Sequence, residues 1–450
     1  MPQKDQLVSA LQKIVGKANV IQGPKKLKDC AVDGLVPKAI VCPKNEKEIS
    51  KVMAIANANK MTVVPRGSGT KMAAGGIPRK VDLVLSLSKL NRVVDYDKAN
   101  LSLSVQAGIT LAALQKKLGA GRKGNFLPLD PPFTEKATIG GIVATNSSGP
   151  KRYIYGTARD MLLGIKAVSP DGDIVSFGGK TMKNVSGYDM TKLMIGTWGG
   201  LGIITEITTK LLPLPEASAT LLLSFGDLEA AGKYIRKIIH SSLLPSAVEL
   251  INGAAADRLG EKSKYLLALS LEGVVEAVAR QITEISESSK KEGAKGVKVL
   301  KGTKEKAFWV RVRDLGSDLA KKYGSPVILK SNFVISKHVE LMARCEKITE
   351  AAGVRAAFIC HAGNGILHTY ILDKPGAGAK LKGLIELIGK LTLEAVKDEG
   401  NLVVESCPPE MKEKISVWGQ PRHDQILMRR LKEKMDPAGI LNPGRFVGGI

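Results

Sequence analysis

Residues 128–149 read PLDPPFTEKATIGGIVATNSSG, and residues 195–204 read IGTWGGLGII. Their glycines fall in pairs where extended segments begin, with small residues around them. Backbone that must lie flat against an extended, charged molecule needs that pattern. A side chain would block the approach, and glycine reaches positive φ without steric cost. Upstream, Pro65-Arg66-Gly67-Ser68-Gly69-Thr70 follows an apolar run at 61–64 that reads as a strand. A strand entering a glycine loop aims unpaired N–H groups at an anion. Together these segments describe a cleft for a dinucleotide. The nicotinamide-type fingerprint is absent: after Gly67 and Gly69 its third glycine would fall at Met72, and the next segment does not read as helix.

Working outward, residues 39–42 predict a short strand, and Asn45 is placed to cap a helix running to about residue 59. Strands are expected at 83–87 and 102–106 and a helix at 110–118. Ser169-Pro170-Asp171-Gly172 marks a hairpin between strands at 161–168 and 173–177. From about residue 216 the texture changes: strands such as 219–225 alternate with Lys/Glu-rich helices at 227–240 and 275–293. The expected organisation is an N-terminal helical segment at 1–34, a cofactor-binding domain at 35–215, an α/β cap at 216–400 and a C-terminal segment at 401–450 returning to the first domain. The fold class is α+β.

Composition narrows the function classes. The chain has 450 residues and a formal charge of +24, but its lysines are spread evenly and only 4% of residues are aromatic. Nucleic-acid binding normally brings aromatic interleaving or a recognisable module, so that class is set aside in favour of a lysine-rich solvated surface. No run of about 18 apolar residues is present, so no transmembrane segment is expected. The first twenty residues lack an apolar signal core and a twin arginine, which predicts a cytoplasmic protein. Five scattered cysteines without a CxxC spacing point to a reducing compartment and away from an iron–sulfur cluster on this chain.

A second constellation, His361-Ala-Gly-Asn-Gly-Ile-Leu-His368, places Asn364-Gly365 between two apolar runs. Read as a two-residue turn, it pairs Gly363 with Ile366, Ala362 with Leu367 and His361 with His368. Imidazoles directly opposite on one face suit a shared divalent metal such as Zn²⁺. Glu405, closing a strand predicted at 401–404, is available as a third ligand.

PRGSGT, the 128–149 stretch, YGTARD, GTWGGLGIIT, HAGNGILH and MDPAGILNPGRF occur in one order across most of the chain. In that combination the sequence resembles the FAD-dependent 2-hydroxyacid dehydrogenases and glycolate oxidase flavoprotein subunits of the vanillyl-alcohol-oxidase superfamily. The resemblance implies a two-lobed PCMH-type FAD-binding domain. In it Pro65, Arg66, Gly67, Ser68, Gly69 and Thr70 wrap the pyrophosphate. Pro128, Thr138, Gly140, Gly141 and Ala144 line the isoalloxazine and ribityl chain, and Gly199, Gly202 and Ile204 approach the adenine. Covalently flavinylated relatives carry a histidine in the first loop; Thr70 follows Gly69 here, so FAD is expected to be non-covalent.

The resemblance also implies a His/His/Glu metal set at His361, His368 and Glu405, and oxidation of a small anionic 2-hydroxy acid such as glycolate or D-lactate. The chain departs from the pattern at Glu405-Ser406-Cys407-Pro408, where D-lactate-type relatives follow the glutamate with a basic histidine. His423 is the candidate substitute for that base. Lys330 resembles a substrate-side lysine, Arg311 and Arg313 are candidate carboxylate partners, and Asn364 replaces the usual aspartate. The run VVESCPP with Trp418-Gly419 looks like the second flavoprotein subunit of multi-subunit glycolate oxidases. It implies an iron–sulfur or paralogous flavoprotein partner, association with the inner face of the membrane through such partners, and an alternative role as a non-catalytic, electron-relay subunit.

Overall fold

Asn45 shows how local sequence sets the elements. Its side chain accepts the N–H of Glu48, whose carboxylate accepts the N–H of Lys44 at 2.8 Å. The helix Glu46–Ala58 then buries Ile49, Val52, Met53 and Ala56, one face at helical spacing. Thr110 and Asp227 cap the helices Leu111–Leu118 and Leu228–Ile239 in the same way. The computed structural model describes residues 2–119, 124–181, 187–376 and 378–450, with side chains from residue 6 onward.

The chain divides into two units, of mixed helix and sheet as the α+β class expects. The first comprises Met1–Ser147, Thr157–Leu214 and Pro421–Ile450. It holds a four-stranded sheet in the order Val20–Ile21, Ala39–Val41, Leu83–Ser86, Val63–Arg66, whose last three strands run parallel. Residues 440–442 close the outer edge of Val63–Arg66: Val63 N–H donates to Ile440 O and Asn442 N–H to Val63 O. A five-stranded antiparallel sheet follows the order Val93–Asp97, Ser102–Gln106, Ile203–Lys210, Leu162–Val168, Ile174–Gly178. One core cluster, including Leu11, Met53, Leu85, Leu103, Ile142 and Ile207, is shared by these layers.

The second unit comprises Ser148–Gly156 and Pro215–Gln420. Its eight strands are all antiparallel, in the order Gly296–Leu300, Ala217–Phe225, Tyr265–Gly273, Ala247–Asn252, Ala356–His361, Ile366–Ile371, Ile328–Asn332, Asn401–Ser406. Helices Leu228–Ile239, His338–Ala351 and Ala379–Lys397 contribute to the core on one face, and Gly302–Tyr323 to the core on the other.

Two expectations are corrected here. The return was expected from residue 401, but Asn401–Ser406 pairs with Ile328–Asn332 inside the eight-stranded sheet, and only residues from Pro421 onward join the first unit. Residues 148–156, expected within the first domain, belong to the second. There Lys151 and Tyr155 both bind the carboxylate of Glu272, at 2.5 and 3.0 Å. Among the described residues no helix is long and apolar enough to cross a membrane.

Candidate functional site

In the first unit a cavity of about 830 Å³, counting its open mouth, is bounded by the loop Pro65–Thr70 and the helix Ile139–Thr145. Every residue expected to bind the cofactor lines it except Pro128, which is buried elsewhere. The helix begins where Thr138 Oγ1 accepts the N–H of Gly141 at 3.3 Å. The glycine pair divides its labour. Gly140 N–H donates to Ala107 O, and a Cβ there would lie 2.6 Å from Ala107 Cβ. At Gly141 the nearest atom would be Thr138 Oγ1 at 3.1 Å. Gly140 thus serves close packing of backbone on backbone, whereas Gly141 opens onto the cavity. Gly69 takes φ 86°, with the Arg66 guanidinium 2.6 Å from where a Cβ would stand.

Three cations, Arg66, Lys71 and Arg445, line this cavity, and among the described lining residues there is no carboxylate. That balance suits an anionic ligand, and Leu87, Ile142 and Ile204 add apolar walls. Sequence reasoning missed Trp198, Asn442 and Arg445, which reach the cavity through long-range contacts: Asn442 Nδ2 donates to Trp198 O.

The second unit carries a polar cluster on one face of its sheet. The hairpin register differs from the expected one: His361 pairs with Ile366, Cys360 with Leu367 and Ile359 with His368. The loop therefore has four residues, 362–365. Ala362 N–H is drawn to Val248 O on the neighbouring strand, and Gly365 O accepts Phe333 N–H, so neither is available to the ladder. His361 and His368 remain on the same face but as diagonal neighbours, with ring centroids 5.0 Å apart and planes at 69°.

Around them the cluster draws on five neighbouring strands. Both oxygens of Glu249, which faces His361 across the ladder, lie within 2.6–2.7 Å of His361 Nδ1, and both residues are buried. Glu405 Oε2 stands 3.8 Å from His368 Nδ1, and Lys330 lies opposite His368 in register. Tyr370 stacks on His368 at 6.1 Å; burial pushes its phenol pKa up, helped by the charges of Glu405, Glu249 and Asp314. Sequence reading missed Glu249, although a lone acid in the apolar run Ala247–Asn252 was a signal that something polar faces it.

Other candidates fall as follows. Arg311 is exposed and its Nε donates to Leu259 O. Arg313 is half-buried, with a buried Nε that has no hydrogen-bond partner among the described residues. It lies one helical turn from Gly316, which packs on Ile328 and Tyr370 of the cluster's face. His423 is exposed and belongs to the first unit. Ser406 is half-buried, opposite Ile328. Tyr153 lies over Gly363, so closely that a side chain at 363 would strike its ring. His361, His368 and Glu405 are neighbours, yet among the described residues no group of three or more His, Cys, Asp or Glu side chains is arranged to hold a metal ion.

Comparison with known proteins fits both halves. A family model described as FAD binding domain matches residues 37–178, and one described as FAD linked oxidases, C-terminal domain, matches residues 214–446. The chain is 30% identical over 421 residues to glycolate oxidase subunit GlcD of Bacillus subtilis, covering 91% of this chain and 89% of the relative. It is 31% identical over 414 residues to D-lactate dehydrogenase of Archaeoglobus fulgidus, covering 91% of each. In fold alone it is similar to p-cresol methylhydroxylase, with a TM-score of 0.74 at 17% identity over 99% of this chain and 97% of that one. With its matched FAD-binding and oxidase models, the chain belongs to the FAD-linked oxidases, the family of these glycolate oxidase and D-lactate dehydrogenase relatives.

Proposed function

We propose that the protein oxidises a small D-2-hydroxy acid, glycolate or D-lactate, to the 2-oxo acid. The observation that carries this reading is the polar cluster of Lys330, His361, His368 and Glu405 on one face of the second unit's sheet. FAD, when bound, supplies the acceptor for the C2 hydride. It is held without a covalent bond, a reading supported by the absence of His, Cys and Tyr among the described residues lining the cavity. Lys330 and Arg313 are the cations that answer the substrate carboxylate; Arg313 is favoured over Arg311, whose Nε is engaged by Leu259 O.

His361 answers the hydroxyl. Glu249 fixes its Nδ1–H, which leaves Nε2 with the lone pair that accepts the hydroxyl proton. This assignment supplies the base that Ser406 does not. Electrons then pass to a partner, an iron–sulfur protein or a paralogous flavoprotein. We place the activity in the cytoplasm at the inner face of the membrane, a location consistent with five buried cysteines that form no disulfide.

The same residues carry a second reading, a divalent ion held by His361, His368 and Glu405. Orientation of His361 by a buried carboxylate favours it, because metal-bound imidazoles are commonly steered that way. The spread of the three side chains does not.

The test is anaerobic mixing of the purified, FAD-loaded chain with glycolate, D-lactate and D-2-hydroxyglutarate while following flavin absorbance. Bleaching by one acid supports the dehydrogenase. A flavin that none of them bleaches supports the electron-relay subunit, the alternative that Ser406 favours.

A further inference from the structure

The even spread of lysine gives way at residues 290–306, which read KKEGAKGVKVLKGTKEK, with seven lysines against two glutamates. Every lysine of the stretch is exposed. Both acids are engaged by other elements: Glu292 by Lys233 and Lys237 at 3.0 and 2.8 Å, and buried Glu305 by Ser218 and Thr220. The stretch therefore presents a strongly positive surface.

At its centre the strand Gly296–Leu300 stands last in the second unit's eight-stranded sheet. It pairs on its inner side with Ala217–Phe225, and among the described residues no strand pairs along its outer side. Alternation sets its two faces. Val297 and Val299 stand opposite Leu223 and Leu221 and share their face, whereas Lys298 stands opposite Leu222 on the other. Leu221 and Leu223 are fully buried, but Val299 is 39% exposed, so the apolar layer runs out to the edge and ends in the open. Lys298 is held by Glu261 at 2.7 Å, and Lys295 and Lys301 bracket the strand at its two ends.

An outer strand offers a row of N–H and C=O groups that another extended chain can complete. A second copy of this edge would set lysine against lysine, which is unfavourable. An acidic segment brings the opposite charge, and such complementarity selects a partner and speeds encounter. We propose that the outer edge of Gly296–Leu300 is a docking site for an extended, acidic segment of a partner protein, which joins the sheet as a further strand. Apolar side chains of that segment cover Val297 and Val299, and its acidic residues meet Lys295 and Lys301.

The FAD-loaded chain is titrated against the labelled peptide Glu-Glu-Val-Glu-Val-Glu-Glu and against the same peptide N-methylated at its three central residues. N-methylation keeps every charge and removes the ladder donors, and should weaken binding by about tenfold or more. The double variant Lys295→Glu with Lys301→Glu should weaken the plain peptide by about tenfold, with FAD content and melting temperature close to the parent's. Absence of binding, or binding that ignores either N-methylation or the charge reversal, would overturn the proposal. So would a dimer that Val299→Lys dissolves, which assigns the edge to a second copy. Attachment to phosphatidylserine vesicles in place of the peptide would overturn it in favour of a lipid surface.

Discussion

Replacing Gly140 with alanine separates two reasons for a glycine that the sequence alone merges. The added Cβ would lie 2.6 Å from Ala107 Cβ and 2.9 Å from Ala107 O. Carbon atoms in contact prefer about 3.5–4.0 Å, so roughly an ångström must be found. The obstacle is not a flexible side-chain end: Ala107 O accepts Gly140 N–H at 2.8 Å, so separation breaks that bond. Overpacking of this kind costs about 1–3 kcal/mol, and the rigid neighbour puts the expected value near 2 kcal/mol. For a unit of this size that corresponds to a fall of about 4–8 °C in melting temperature. Gly141→Ala meets only Thr138 Oγ1, at 3.1 Å, and should cost well under half as much. The assay is thermal denaturation of the apo-proteins, where the cofactor contributes nothing. Equal melting temperatures for parent and Gly140→Ala, or an equal fall for both variants, would refute the packing argument.

Glu249→Gln removes the carboxylate that orients His361; turnover should fall about ten- to a hundred-fold with FAD content unchanged, and unaltered turnover would count against His361 as the proton acceptor. His361→Ala, followed by elemental analysis, tests the divalent-ion reading: metal content that matches the parent's removes it. For Asp82, burial raises the pKa but is outweighed by Lys38 and Lys80, at 2.7 and 2.8 Å, and by Thr62 N–H, which hold it at about 2 against an ordinary 3.8. A depressed carboxylate stabilises the fold above its unfolded pKa. The contribution is therefore complete above about pH 4 and lost as the pH falls towards 2. Asp82→Asn should flatten that part of the stability–pH curve, and an unchanged slope in melts across the window would contradict the pairing.

Features set by neighbours in sequence were the legible ones. Asn45 announces its helix because a cap needs only a side-chain oxygen three residues before an N–H. The glycine loop and the cleft around Thr138 were legible for the same reason. What escaped depends on residues far apart. The hairpin register turns on Val248 and Phe333, which withdraw Ala362 N–H and Gly365 O from the ladder. The partner of His361 stands 112 positions away at Glu249. Residues 148–156 look like a loop of the first domain, yet Glu272 recruits Lys151 and Tyr155 into the second unit. Each case is one of polar groups choosing a distant partner over a local one, which periodicity does not encode.

The closure of the Val63–Arg66 edge by residues 440–442 also sets an order of events during synthesis. The ribosome finishes residue 214 and then makes the whole main body of the second unit before Pro421 emerges. At roughly 5–20 residues per second that interval lasts about 10–40 s. Throughout it the parallel strand presents an unpaired outer edge, the kind of surface that templates aggregation, and Arg445 is not yet there to hold the carbonyls of Met72 and Ala74. Residues 421–450 then supply the edge pairing and the Arg445 contacts to Met72 and Ala74 together.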